Sequence, residues 1–331
     1  MPPTNKLFAA NRPSKMFGVL TRLARLSLIA AIASALGFAG HWHWLLDLCA
    51  HFRWQYQLAM LLGLVAAVVT RKRGTAAVLI VAALVNAWSL ATANGPAQDA
   101  HTSVAGAQRL KLLLANIHLD NKNLAPLLAL IERESPDVVG ILELSPQAAE
   151  TLAVLEPRYP NSAINPRDDP FGIGLYSRLP ARILQSTMPP LDLPVMQLQW
   201  TDPQPGKLWL VHPFPPIGSE ATQWRNIQLE HIATLIRGDE SAVLAGDLNT
   251  TPWSAAYRQL RNDAALLDSS ATQWAWPTWF GPHWWTGVMA VPIDHVLHAS
   301  GWRVIRHQIG PDIGSDHRPI IVTLERVGSR D

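Results

Sequence analysis

Residues 242–250 read Ala-Val-Leu-Ala-Gly-Asp-Leu-Asn-Thr. A short apolar run, too brief for a helix, meets a turn-forming Gly-Asp and ends on an amide. That pattern predicts a buried strand over Ala242–Ala245 that stops at a carboxylate, Asp247, with Asn249 just beyond. Working outward, the same arrangement recurs. Arg109–Ile117 predicts a strand with Asn116 near its end. Asp137–Leu142 predicts a second, ending at Glu143, and Gly172–Ser177 a third. Val195–Trp200 and Lys207–His212 predict a hairpin joined through Asp202, Pro203, Pro205 and Gly206, closing on His212. Val291–His298 carries Asp294 and His295. Arg303–His307 and Pro319–Leu324 close the chain, the last just after Asp316 and His317. Helical periodicity appears over Leu124–Arg133, Ser219–Arg237 and Pro252–Asn262, the last expected to open at Pro252. Strands that follow one another without helices argue against a purely parallel sheet. The expected fold class is α/β (α+β): a four-layer sandwich of two mixed β-sheets flanked by helices, preceded by an N-terminal transmembrane helical region.

Strand ends on one rim of a sandwich can share a cleft. Such a rim would gather four carboxylates, two amides and at least two histidines. Oxygen ligands with waters suit Mg²⁺, Mn²⁺ or Ca²⁺ rather than a structural zinc, and such an ion neutralises charge that builds up on a phosphate during in-line displacement. A histidine paired with an acid moves protons near neutral pH. Amides position a phosphoryl oxygen or a water without adding charge. Each motif alone also reads as an ordinary turn, cap or satisfied buried acid; their joint order at strand ends is the specific signal.

That joint pattern resembles the endonuclease/exonuclease/phosphatase superfamily, which includes deoxyribonuclease-like metal-dependent phosphoesterases, neutral sphingomyelinases and inositol polyphosphate 5-phosphatases. The matching stretches are Leu113–Asn116, Leu142-Glu143, Gly174–Arg178, Val211-His212, Gly246–Thr250, Ile293–His295 and Ser315–Pro319, together with Arg225 and Gln228 of an Arg-x-x-Gln helix. The resemblance covers about residues 108–326. It implies Glu143 as the principal metal ligand, with Asn116 and Asp316 near the ion, Mg²⁺ with Mn²⁺ as substitute. It implies Asp247 and Asn249 at the attacking water and the phosphate, His317 paired with Asp294 at the phosphoryl group, and His212 as the second histidine. It leaves open whether Asp247 or His317 is the base. Arg178 and Trp279 are the implied substrate contacts. Where some members carry an acid two residues after the first Asn, this chain has His118, which disfavours a second metal there.

The N-terminal third is different in kind. Residues 1–94 carry nine Lys/Arg and one acid, Asp47, whereas the remainder carries 18 Lys/Arg and 24 acids. Leu26–Leu46, Gln57–Val69 and Thr75–Ala93 are apolar runs, the middle one short for a bilayer of about 20 residues' helical span. Arg12, Lys15, Arg22 and Arg25 precede the first run, and Arg71, Lys72 and Arg73 separate the second from the third. With three spans, both basic clusters fall in the cytoplasm and the chain leaves the third span outside. With two spans, the following domain is cytoplasmic. His41, His43 and His51, near Trp42, Trp44 and Trp54, read as polar residues of a membrane interface. No charged residue lies deep in the apolar runs, so nothing marks a conduction path. One cysteine, Cys49, excludes an intramolecular disulfide and a Cys-based zinc site.

The expected organisation is a membrane region over 1–93, a linker over 94–107 and a catalytic domain over 108–326. The expected protein is a phosphodiesterase, nuclease or phosphatase of the inner membrane, its catalytic domain on the periplasmic side. The lipid bilayer would be its partner, with a nucleic acid, phospholipid or small phosphoester as substrate and no obligate protein partner implied. A net-acidic domain argues against gripping long nucleic acid by charge alone. The Trp-rich stretch Gln273–Gly287 reads equally as an aromatic rim to the cleft or as packing on the sandwich. The competing expectation is a non-catalytic, membrane-tethered binding domain that keeps the fold.

Overall fold

A computed structural model describes residues 15–93, 107–202, 204–271, 275–281 and 284–327, without the side chains of 284 and 285. All but the last residue of the expected linker lies outside the described residues. Four helices come first: α1 (Lys15–Leu36), α2 (Trp44–Leu48), α3 (Arg53–Val69) and α4 (Arg73–Thr92). There follow β1 (Arg109–Asn116), α5 (Ala125–Glu134), β2 (Val138–Leu142), α6 (Pro146–Leu152), β3 (Asn161–Asn165), β4 (Ile173–Ser177), β5 (Ala181–Met188), β6 (Leu193–Trp200) and β7 (Gly206–Val211). The chain continues through α7 (Ser219–Ile236), β8 (Ala242–Asp247), α8 (Ala255–Asp263), β9 (Leu267–Asp268), β10 (Asp294–His298), β11 (Trp302–Ile309) and β12 (Ile320–Arg326).

The strands form two six-stranded sheets, ordered β11-β12-β1-β2-β4-β3 and β5-β6-β7-β8-β10-β9. Both are mixed, with one parallel pair each, β1 with β2 and β7 with β8. Strand β1 shows why the layers stack. Leu110, Leu112 and Leu114 point between the sheets, where they meet Met196, Leu198, Leu208 and Leu210 of the second sheet. Leu113 and Ala115 point outward beneath α5 and α6. The second sheet repeats this with α7 and α8 on its outer face. Side chains alternate along a strand, so a strand buried on both faces reads as one continuous apolar run. That is why β1, β2 and β8 were visible in the sequence. The edge strands β3 and β5 were not, because no residue of β3 and only Met188 of β5 is buried, so neither makes a continuous apolar run. Helix α6 starts where Ser145 caps it and Pro146 takes the first turn. The expected opening of the last helix at Pro252 is corrected: Ser254 caps α8 by accepting from the Ala256 N–H.

The compact units do not follow chain order. Of the described residues, one comprises those up to Ala35 together with Arg53–Trp88; the other comprises Leu36–Phe52 and those from Ser89 onward. In the helical unit, α1 turns Ala24, Ser27, Ala31 and Ser34 inward, and a Cβ built on Gly63 would lie 2.2 Å from the Cβ of Ser27. Small residues thus bring the helix backbones close. Asn86 ties this unit together, accepting from Ser34 Oγ (2.8 Å) and Arg53 (3.2 Å) and donating to Gln57 (2.9 Å). The apolar run expected as one span over Leu26–Leu46 is broken. Helix α1 ends at Leu36, and α2 starts afresh with His43 as its cap. The break has a steric reason, because the backbone of Gly37 passes so near Ala50 that a Cβ there would sit 2.9 Å from its Cα.

Candidate active site

Register brings the strand ends together. In the first sheet Asn116 pairs with Leu142, so Asn116 and Glu143 leave their parallel strands side by side. In the second sheet Val211 pairs with Gly246, which places His212 beside Asp247, and Asp294 pairs directly with Asp247 across the antiparallel β8–β10 pair. Gly246 is required here, since a Cβ would stand 2.2 Å from the Val211 carbonyl oxygen. His317, just ahead of β12, completes the rim.

Asn116 sits at the centre. Its Nδ2 donates to Glu143 Oε1 at 3.0 Å and to Asp247 Oδ2 at 3.3 Å, and lies 3.4 Å from His317 Nε2. Its Oδ1 accepts from the His118 N–H at 3.1 Å. The other oxygen of Glu143 accepts from the Leu119 N–H at 2.9 Å. Asp247 Oδ1 accepts from the Asn249 N–H at 2.9 Å, and its Oδ2 lies 3.5 Å from His212 Nε2 and 3.7 Å from His317 Nε2. His317 Nδ1 is 2.7 Å from Asp294 Oδ2. Ser315 Oγ accepts from the His317 N–H and donates to the Asn116 carbonyl, tying the start of β12 to the end of its neighbour β1. Thr278 Oγ1 accepts from the Asp294 N–H at 3.1 Å.

The electrostatics follow from this geometry. Burial pushes the His317 imidazolium to lose its proton, but Asp294, then Asp247 and Asp316, outweigh burial and raise its pKa to about 10. Burial likewise lowers the basicity of His212 and the neighbouring Asp247 reverses it, for a net rise. Asp247 shows the converse: burial favours the neutral acid, and the two histidines hold it ionised below the usual carboxylate range. His118, Glu143 and Asn249 all adopt the left-handed region, with φ of 62°, 58° and 48°. Strained non-glycine residues cluster at working sites, where surrounding structure must hold them.

Eight of the ten residues expected at the site gather at or beside this rim: Asn116, Glu143, His212, Asp247, Asn249, Asp294, His317 and, half-buried, Trp279, whose backbone bridges to His317. Asp316 faces Trp279 instead, accepting from its indole Nε1 at 2.9 Å, while the other carboxylate oxygen is buried without a hydrogen-bond partner. Arg178 is not brought to the rim. Strand β4 runs antiparallel to β2, pairing Ile173 with Leu142 and Ser177 with Val138, so Arg178 emerges at the far end. There it donates to Tyr159 Oη and lies over that ring. The same antiparallel turn brings in a pair that composition could not mark. Arg167 donates to Asp169 through Nε (2.7 Å) and Nη2 (2.5 Å), and its backbone N–H binds the carbonyl of Leu144, next to Glu143. Within the Trp-rich stretch, Trp276 is exposed and Trp279 and Phe280 are half-buried; Trp274 and the side chains of Trp284 and Trp285 lie outside the described residues.

The fold and rim together are those of a phosphoesterase-type scaffold, and known proteins bear this out. The sequence profile of the Endonuclease/Exonuclease/phosphatase family matches residues 113–317. The chain belongs to that family. Solved structures share its fold. An endonuclease/exonuclease/phosphatase from Beutenbergia cavernae is 20% identical with a TM-score of 0.54, over 67% of this chain and 72% of that one. The 3′ phosphatase NExo from Neisseria, bound to product DNA hairpin, is 17% identical with a TM-score of 0.53, over 66% of this chain and 100% of that one. D. rerio TDP2, complexed with single strand DNA product, is 21% identical with a TM-score of 0.52, over 66% and 99%. None of the curated proteins compared with this chain matches it.

Proposed function

We propose that this protein is a membrane-anchored phosphoesterase that uses a divalent cation, Mg²⁺ or Mn²⁺, to hydrolyse phosphodiester or phosphomonoester bonds. One observation carries the reading: a single rim joins Asn116, Glu143, Asp247, Asp294 and His317 through contacts of 2.7–3.7 Å. The donor set fits a hard cation. Asp247, Asp294 and His317 offer ligand atoms within 4.8 Å of one another. Asp294 and His317 are already committed to each other, however, at 2.7 Å. We therefore favour Glu143 with Asn116 as the anchor of the ion: Glu143 is half-exposed, and its hydrogen bonds come from neutral N–H groups only. A cation held there would neutralise charge on the phosphoryl oxygens.

The chain's own groups do the rest. Asp247, kept ionised, orients the attacking water and draws off its proton. Asn249 aligns Asp247 through its backbone N–H and is itself fixed by donating to the Pro213 carbonyl at 3.0 Å. His317, held protonated by Asp294, presents Nε2–H to the phosphoryl group. His212, held by the Pro170 carbonyl through Nδ1 at 3.1 Å, faces Asp247 with its Nε2 at 3.5 Å. The half-buried Trp279 and exposed Trp276 are the substrate-facing aromatics.

The anchor rests on the helices. Lys15–Ala39 and Arg73–Thr92 are long and apolar enough to cross a membrane by length and composition, and α3 is a shorter apolar helix of 17 residues. At ~1.5 Å per residue α3 spans about 25 Å, enough for a thin hydrocarbon core. Parity supports counting it. Leu36–Phe52 and Ser89 onward form one compact unit, so the chain between them must cross a bilayer twice or not at all. Three crossings with the basic clusters inside put the catalytic unit on the periplasmic face of the inner membrane.

The test is turnover by the full chain in detergent against a panel of phosphodiesters, phosphomonoesters, nucleic acids and phospholipids. Hydrolysis should require Mg²⁺ or Mn²⁺, stop with chelator and fall below detection in Glu143→Ala. Undiminished hydrolysis under both changes refutes the mechanism. No hydrolysis across the panel, with metal bound, favours the non-catalytic binding domain. A reporter fused after Asp331 should work only outside the cytoplasm.

A further inference from the structure

The turn that carries Asp247 into Asn249, Thr250 and Thr251 is braced by α7, by β10 and by the loop between α1 and α3. The Asn249 carbonyl accepts from Arg225 Nη1 at 3.1 Å, and the Thr250 carbonyl lies 2.8 Å from His295 Nε2. Thr251 Oγ1 lies 3.0 Å from His51 Nδ1. Arg225 is wholly buried in α7, with Nε on Asn226 Oδ1 at 2.9 Å and Nη2 on Asp47 Oδ2 at 2.6 Å. A buried guanidinium needs a counter-charge, and the carboxylate that supplies it comes from 178 residues away, in the segment between the first two long apolar helices. Asp47 is 3% exposed and His51 6%. His51, expected from sequence at a membrane interface, and Asp47 both belong to the catalytic unit.

We propose that Asp47 is a positioning residue for the active-site turn. It fixes Arg225, Arg225 holds the Asn249 carbonyl, and Asn249 in turn holds Asp247 through its backbone N–H. His51 adds a neutral brace, since burial depresses its pKa to about 4 and its 3.8 Å approach to Asp47 is no ion pair at neutral pH. Burial opposes ionisation of Asp47 itself, and Arg225 outweighs it, so the carboxylate stays charged. The left-handed backbone of Asn249, φ 48°, makes the turn sensitive to loss of that support. The loop between α1 and α3 is thereby coupled to chemistry, because its Asp47 aligns the water-orienting acid.

The proposal rests on the phosphoesterase reading for its kinetic consequence but not for its structural one, and the experiment separates the two. Full-length protein in detergent is compared as wild type, Asp47→Asn, Arg225→Gln, the double Asp47→Asn/Arg225→Gln and Glu143→Ala. Asp47→Asn should lower kcat about 10–100-fold, the cost of misplacing a working group by about 1 Å, with KM within about twofold. Hydrogen exchange over 248–254 should quicken in Asp47→Asn while 109–116 stays protected; Glu143→Ala should leave 248–254 unchanged. The double variant, which removes both buried charges and keeps folding in reach, should be no slower than the worse single. Unchanged exchange over 248–254 in folded Asp47→Asn overturns the proposal, as do losses that multiply in the double. Faster exchange there, with no turnover by wild type on any substrate, keeps the brace and sinks the phosphoesterase reading instead.

Discussion

The two compact units bury their residues in opposite ways. In the sandwich, Leu112, Val139, Leu210 and Val243 are sealed inside. In the helical unit, Leu26, Ile29, Ile32, Val65, Val81 and Leu84 are 60–65% exposed, while Ala24, Ala31, Gly63, Ala66 and Ala67 face one another. Water rewards the first arrangement. The second is stable where the surroundings are hydrocarbon, because large apolar groups then gain nothing by hiding and close packing of small residues decides the contacts. The difference teaches how the two outer faces diverge, and it supports the membrane anchor proposed for the helical unit.

Four changes break or sharpen that comparison. The largest effect belongs to the sandwich rim: His317→Ala should cut turnover about a thousandfold or more, some 4 kcal/mol of barrier, without lowering the melting temperature enough to unfold the domain. A milder loss would mean that the Asp294–His317 pair is structural. Next is the same acid placed on each outer face. Leu84→Asp should cost about 3 kcal/mol of membrane insertion, seen as protein lost from the membrane fraction. Val154→Asp, at an equally exposed apolar residue of the sandwich, should stay within about 0.5 kcal/mol in denaturant unfolding. Equal responses would erase the contrast between the units. Third, Gly63→Leu should destabilise helix association by about 1–3 kcal/mol through overpacking, because even a Cβ meets Ser27 at 2.2 Å; a helix-dimer or thermal-shift measurement reads it.

The smallest effect is acid titration, which should touch one unit only. The helical unit holds no Asp or Glu, whereas Asp239 of the sandwich pairs with Lys207 at 2.6 Å on a partly wet surface. Burial raises the Asp239 pKa, and hydrogen bonds from Lys207 and Ser241 outweigh it and hold the carboxylate below the usual range. A depressed folded pKa gives stability that is present above the unfolded value and lost as pH falls through the folded one. Asp239→Asn should therefore cost under about 1 kcal/mol at pH 7 and nothing once the acid is protonated, well below pH 4. A loss that persists there would place the effect in packing rather than charge.

Much of the site was legible because its residues terminate strands. Asn116, Glu143, His212, Asp247, Asp294 and His317 each sit where an apolar run stops or is about to start, and apolar runs are what sequence shows best. Arg178 misled for the opposite reason: it ends a strand too, but the strand's direction sends it to the other rim. Arg167 and Asp169 carried no signal, since Arg-Asp-Asp-Pro is ordinary loop composition.

The sequence by itself determined which segments shun water, which residue closes each strand, and that the N-terminal third differs in charge and hydropathy from the rest. Those properties depend on near neighbours along the chain. Strand direction, the edge strands β3 and β5, the break after Leu36 and the pairing of Asp47 with Arg225 were settled only in three dimensions. Each depends on partners many residues distant, and a buried charge leaves no mark in the sequence to say which opposite charge will neutralise it.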